Sequence, residues 1–227
     1  MQDPPDGVIQ WQLTYSGLTD SEWTLIEQLF EAVEGRLNTF TFLDPLSNLL
    51  IWSEDWTKPV WTPGPMLTVS AGLPGPNGVN NAVELTNTSQ AAQRISQTIS
   101  AASSFQYSFS TYVRSDAVCD VELVASADGE ESLNTVSVGT SWTRVGTAVS
   151  LSKHQDGITF GLRLPAGVRL EAFGAQAEAQ PAVGQYKKSI DRGGVYMRTR
   201  FASDTLRRTT RAPNQNSCVV GLVSGLS

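Results

Sequence analysis

Between Phe105 and Glu178 apolar residues recur at every second position, in runs that are short and evenly punctuated. Phe105, Tyr107, Phe109, Thr111 and Val113 would share one face of an extended chain, and Ile158, Phe160, Leu162 and Leu164 alternate with Thr159, Gly161 and Arg163. Side chains of a strand point to opposite faces in turn, so a period of two buries one face and leaves the other to water. Residues 118–125, 135–138, 142–149 and 168–178 read as strands in the same way, with Ser, Gly, Asn and Asp between them. About eight short strands at such intervals predict a β-sandwich of jelly-roll type. An α/β fold would need helices between the strands, and no stretch after Val33 carries a helical stripe.

The one helix comes earlier. Thr19 is placed to cap it, Glu22 three residues on can close a capping box, and the helix should begin at Asp20. Ile26, Leu29, Phe30 and Val33 fall at i, i+3, i+4 and i+7, a stripe that must bury against something. Gly35 supplies the stop, and residues 8–15 and 37–43 alternate as strands on either side. A strand, a helix and a strand make an α+β unit of about 45 residues, too small to hold a core alone.

The unit's missing strands are found at the other end of the chain. After Gly193-Gly194, Val195, Met197, Thr199 and Phe201 alternate with Tyr196, Arg198 and Arg200; residues 205–211 continue, and Pro213-Asn214 turns into a last strand over 217–223. Residues 1–47 and 187–227 are therefore expected to complete one module, with 48–186 inserted between them as the sandwich; insertion at a surface turn is tolerated because the ends of a domain lie close together. Pro63, Pro65, Pro74 and Pro76 with Gly64, Gly72, Gly75 and Gly78 punctuate the chain and mark 66–78 as loop or short edge strands.

Of 227 residues 40% are hydrophobic and 17% charged, which predicts a folded, soluble chain of one or two domains. Met1 to Asp6 reads as an extended arm without the basic and apolar regions of a cleaved signal, and no apolar run is long enough to cross a bilayer. Neither secretion nor membrane insertion is expected. Cys119 and Cys218 lack metal or redox spacing and read as small buried hydrophobes. The net charge of −6 is unevenly spread: residues 1–186 hold 8 basic and 20 acidic side chains, and 187–227 hold 8 basic and 2 acidic. Identical subunits could then meet body to tail, with Arg198, Arg200, Arg207, Arg208 and Arg211 as the candidate subunit interface; a solvated basic strand face is the alternative.

The runs Leu13-Thr14-Tyr15-Ser16-Gly17-Leu18-Thr19-Asp20-Ser21-Glu22 and Phe40-Thr41-Phe42-Leu43-Asp44-Pro45, with the late stretch from Tyr196 to Leu206, resemble tailed-bacteriophage tail proteins of the distal-tail or tail-tube-like group. Asn48-Leu49-Leu50-Ile51-Trp52-Ser53-Glu54-Asp55-Trp56 and Phe173-Gly174-Ala175-Gln176-Ala177-Glu178 are similar to the first and last strands of jelly-roll modules related to carbohydrate-binding modules. The resemblance implies a mainly β chain with minor α+β character: a tail-tube-like β-barrel with one helix, split by an inserted sandwich. It implies a structural virion protein assembled in the host cytoplasm. Its partners would be itself, in a ring that is commonly a hexamer, and other tail-tube and baseplate hub proteins, with the sandwich facing outward.

An enzyme is not expected. The single histidine, His154, sits in a polar turn, and no nucleophile elbow, His-Glu-x-x-His or phosphate-cradling loop is present. Glu54-Asp55 and Glu130-Glu131 are adjacent rather than set for acid–base work, Asp128-Gly129 marks a hairpin, and the sequence leaves open whether Glu84, Asp120, Glu122 and Glu171 converge. Glycan binding for host adhesion is the second functional reading. Sugar rings stack their C–H faces on aromatic platforms, and Trp56, Trp61, Tyr107, Tyr112 and Trp142 are the candidates. Trp52, Trp56 and Trp142 could equally plug the ends of the sandwich. No cofactor is expected, although carboxylates near the strand ends are candidate ligands for a structural calcium. An acidic body without a recognition motif argues against sequence-specific nucleic-acid binding.

Overall fold

A computed structural model describes residues 7–225; the arm of residues 1–6 lies outside them. The elements run β1 (Val8–Leu18), α1 (Asp20–Ala32), β2 (Phe40–Leu43), β3 (Thr62–Pro63), β4 (Leu67–Pro74), β5 (Asn80–Asn87), β6 (Gln93–Ile99), β7 (Gln106–Arg114) and β8 (Cys119–Ala127). They continue as β9 (Glu130–Val138), β10 (Thr143–Ser150), β11 (Ile158–Leu164), β12 (Arg169–Glu178), β13 (Val195–Phe201), β14 (Arg208–Ala212) and β15 (Gln215–Gly225). The chain divides between Phe42 and Leu43, and again between Val195 and Tyr196, into two compact units.

The unit built from the two ends is a five-stranded sheet, β1-β15-β13-β2, with β14 also paired to β15. The capping box forms: the Thr19 amide donates to Glu22 Oε2 at 2.8 Å, and the Glu22 amide to Thr19 Oγ1 at 3.2 Å. Trp23 and Val33 are buried with Phe201, Cys218, Val220 and Leu222, and Ile26 and Phe30 pack beside them. The buried stripe therefore starts at Trp23, while Leu29 stays 40% exposed. The sheet is open, not the expected barrel. Its edges, β1 and β2, have no ladder to each other among the described residues, and α1 fills the face that a barrel would enclose.

The other unit is the sandwich. One sheet runs β10-β7-β12-β5-β4 and the other β3-β6-β11-β8-β9, with every pair antiparallel. The alternating residues do as their period requires: Tyr107, Phe109 and Val113 from one sheet meet Ile158, Phe160, Leu162 and Leu164 from the other in a single buried cluster. Residues 43–47 and 187–195, expected in the terminal module, lie in this unit. Asn48 explains why. Its Nδ2 donates to Ala175 O at 2.8 Å and Lys187 O at 3.1 Å, and its Oδ1 accepts from the amides of Leu50 and Ala177, both at 3.1 Å.

Candidate functional site

The segment from Ile51 to Trp61 turns at one end of the sandwich, and its indoles do different jobs. Trp56 and Trp61 stack at 4.7 Å and 16°, with Trp56 1% and Trp61 3% exposed. Their ring nitrogens donate inward, Trp56 Nε1 to Ser53 O at 2.9 Å and Trp61 Nε1 to Trp52 O at 3.1 Å. Both therefore support the turn from below. Trp52 is half-buried and its backbone is left-handed, φ 51°, a conformation that costs about 1–3 kcal/mol for a bulky residue and persists only where neighbours fix it. Here the Trp52 amide donates to Ile190 O at 2.6 Å, and its carbonyl accepts from the Asp55 amide and from Trp61.

Trp52 forms one wall of a cavity of about 310 Å³, with Glu54, Asn80, Asn81, Lys188 and Ser189 among the other lining residues. Glu54, 10% exposed at its side chain, takes Lys188 Nζ at 2.7 Å and Asn81 Nδ2 at 3.1 Å on one oxygen, and the Tyr186 hydroxyl at 3.2 Å on the other. Burial pushes the Tyr186 phenol well above the ordinary tyrosine range; the Ser53 hydrogen bond opposes that shift and the Glu54 charge adds to it, so the hydroxyl stays a donor. Asn81 Oδ1 and Ser189 Oγ are buried without a hydrogen-bond partner, two of four such side-chain atoms among the described residues. Native interiors leave few polar atoms in that state, so two on the lining residues of one cavity mark it out.

The residues expected to form an aromatic platform are not brought together. Trp56, Trp61 and Tyr107 are core residues without a free ring face; Tyr107 is fully buried and its phenol is pushed up to about 12 by that burial. Tyr112 is half-buried beneath Phe173, Tyr186 and the Arg144 guanidinium. Trp142 is half-buried with the Arg114 guanidinium 4.9 Å from its ring. The cover over Tyr112 is the chain's own segment after β12: Ser108 Oγ donates to Ala182 O, Arg144 Nη1 to Gly184 O, and Gln176 Nε2 to Gln185 O.

The four carboxylates do not form one cluster, although two of them meet. Glu84 and Glu171 face each other across β5 and β12 but pair with Arg169 and Arg114, while Glu122 pairs with Arg163 on the other sheet. No group of three or more His, Cys, Asp or Glu among the described residues is placed to hold a metal ion. His154 is exposed, its Nδ1 2.9 Å from Ser104 Oγ. Cys119 and Cys218 are free thiols, and only Cys218 is buried. Arg198, Arg200, Arg207, Arg208 and Arg211 are exposed and make no ion pair among the described residues. They do not share one face: Arg208 lies 5.5 Å over the Trp23 ring, on the helix side of the sheet, whereas Arg198 and Arg200 alternate with the buried Thr199 and Phe201.

No protein-family model matches the chain, and no curated protein matches it. Among solved structures it is similar to the tandem CBM22-1-CBM22-2 domain of Xyn10C from Paenibacillus barcinonensis, with 14% identity and a TM-score of 0.50, covering 78% of this chain and 60% of that one. The CBM22-1 xylan-binding domain of the same protein gives 15% identity and a TM-score of 0.48, covering 63% of this chain and 98% of that one. The enzymatically active domain of tailspike protein 4 from bacteriophage CBA120 gives 10% identity and a TM-score of 0.45, covering 60% of this chain and 22% of that one. At these identities the likeness is one of fold, and that fold is the jelly roll of carbohydrate-binding modules. The structures named above do not support the expected tail-tube ring; the phage protein among them is a tailspike.

Proposed function

We propose that the sandwich unit binds a glycan at the Trp52 cavity, without turning it over. The observation that carries this is the pairing, in one cavity of about 310 Å³, of an indole wall with two carboxylates, two amides, an amine and a hydroxyl on the other lining residues. An apolar ring face with hydrogen-bonding groups around it is what a pyranose asks for, since its C–H face stacks and its rim of hydroxyls both donates and accepts. The left-handed Trp52 backbone supports the reading, because strain of that kind collects where a side chain must be held for a ligand. Binding without catalysis is supported by how the acids are used: Glu54 is engaged by Tyr186, Asn81 and Lys188, and Asp55 by Thr57 and Lys58.

A glycan array with the full chain, followed by titration of soluble xylan or of the best array ligand, tests this. Trp52→Ala should weaken binding at least tenfold, and Trp142→Ala, at a ring that does not line the cavity, should leave it unchanged. An array without signal, or Trp52→Ala binding as the parent does with a native circular dichroism spectrum, would refute the proposal.

A further inference from the structure

Five of the six terminal strands in the three sheets carry a device against pairing with another chain. β2 has four residues, and β3 has two, one of them Pro63. β4 ends on Pro74 after two register shifts, β9 begins Glu130-Glu131, and β10 carries Arg144. The sixth, β1, has none. It is eleven residues long, Val-Ile-Gln-Trp-Gln-Leu-Thr-Tyr-Ser-Gly-Leu, without a charge or a proline, and among the described residues its ladder is to β15 alone. Its single irregularity lies at the far end, between Ser16 and Leu18. Every second residue from Val8 to Ser16 thus directs an N–H and a C=O away from β15, an edge that proteins ordinarily blunt.

We propose that β1 is a self-association strand, and that its partner is β1 of a second copy of this chain, paired antiparallel about a twofold axis at Gln12. Three observations select that occupant. β2, the other edge of the same sheet, is four residues long and could meet less than half of β1, whereas β1 can match itself over nine residues. The strand is uncharged, so its own copy brings no like-charge pair in any register. The pattern fits as well. With Gln12 opposite Gln12, Trp11 meets Leu13, Ile9 meets Tyr15 and Gln10 meets Thr14. Each face of the sheet then continues across the axis, as a shift of one residue would not allow. Two five-stranded sheets become one of ten, and the contact is isologous.

Sedimentation of the full chain over the micromolar range tests this. The expected species is a reversible dimer, twice the 24.5 kDa chain. Gln12 is exposed and opposite Gly221 on the face away from α1, so its replacement leaves the buried cluster intact. Gln12→Lys and Gln12→Glu should each weaken the dimer at least tenfold, and mixing the two should restore it as a heterodimer. A parent that stays monomeric, a dimer indifferent to both substitutions, a mixture that fails to reassociate, or a closed species larger than a dimer overturns the proposal. Should Gln12→Lys lose its native circular dichroism, the pair Gln10→Lys with Thr14→Glu, which face each other across the axis, should keep the dimer where Gln10→Lys with Thr14→Lys abolishes it; equal behaviour of the two overturns it. Glycan affinity is a separate readout, since the cavity shares no residue with β1.

Discussion

Asn48→Ala should be among the most damaging small changes outside the apolar core. The side chain is 2% exposed and makes four hydrogen bonds, all to backbone groups: two donated, to Ala175 and Lys187, and two accepted, from Leu50 and Ala177. Truncation leaves two buried N–H groups without an acceptor, at about 1–3 kcal/mol each, or about 2–6 kcal/mol together. Water entering the space left by the amide should keep the loss in the lower half of that range. For a chain of this length about 1 kcal/mol moves the melting temperature by about 2–4 °C, so a drop of at least about 4 °C is expected in the near-ultraviolet circular dichroism melt. Asn48→Asp separates the two halves of the interaction. It keeps the acceptor for Leu50 and Ala177 but turns a carboxylate toward two carbonyl oxygens, so the new acid should have a raised folded-state pKa. Its penalty should then be largest at neutral pH and shrink as the pH falls and the acid protonates. A melting temperature within about 2 °C of the parent for Asn48→Ala, or a pH-independent Asn48→Asp, would refute the account of this hub.

Gly161→Ala should cost about 3 kcal/mol or more in denaturant unfolding, because a Cβ there would stand 2.2 Å from Ile95 O, a backbone atom of the paired strand that cannot step aside; a loss under about 1 kcal/mol would contradict the packing. Glu130→Gln tests electrostatics at the hairpin. Backbone amides of Ser152 and then Lys153 hold the Glu130 carboxyl below its ordinary value of 4.5. A depressed folded pKa contributes stability above the unfolded value and loses it as the pH falls through the folded one, so the parent's advantage over Glu130→Gln should be present at neutral pH and gone once the carboxyl is protonated in the folded state. An advantage that persists in acid would show that the amide bonds, rather than the charge, matter there.

The strands most legible in the sequence are those that set large apolar residues at alternate positions. β7 and β11 bury Tyr107, Phe109, Ile158, Phe160 and Leu162 at alternate positions, and the period survives in the sequence. β5 and β6 escape it because they bury polar groups: Asn87 is 1% exposed, its Nδ2 donating to the carbonyls of Ala91, Leu164 and Pro165, and Gln97 is 3% exposed against Ile51. β4 is one of the edge strands that the Pro and Gly punctuation allows as the alternative to a loop; Gly72 and Pro74 are tolerated on an outermost strand, Gly72 at a φ of 96° where the register shifts. The cavity left still less trace. Trp52 and Glu54 are separated from Lys188 and Ser189 by more than a hundred residues, and nothing in the spacing of six tryptophans tells a supporting indole from a wall. The left-handed Trp52 backbone is a feature of the fold alone.

The position of that cavity has a cause in the segment after β12. Gln176 is fully buried and Glu178 2% exposed, on the face of the sheet turned away from the core. They are satisfied by the segment itself: Gln176 holds Gln185 O and the Lys187 amide, and Glu178 holds the Gly184 amide and Lys187 Nζ. Tyr186 then lies on Gly174, where an added Cβ would stand 3.0 Å from its ring. Lifting the segment would exchange these four hydrogen bonds for bonds to water, at a net cost of about 0.5–1.5 kcal/mol each and about 1.5–3 kcal/mol for those to the carboxylate, which holds it down on the sheet. With the sheet face closed, Tyr112 is out of reach of any ligand. The open aromatic surface moves to where the segment ends, at Lys188, Ser189 and Ile190, and there it meets Trp52.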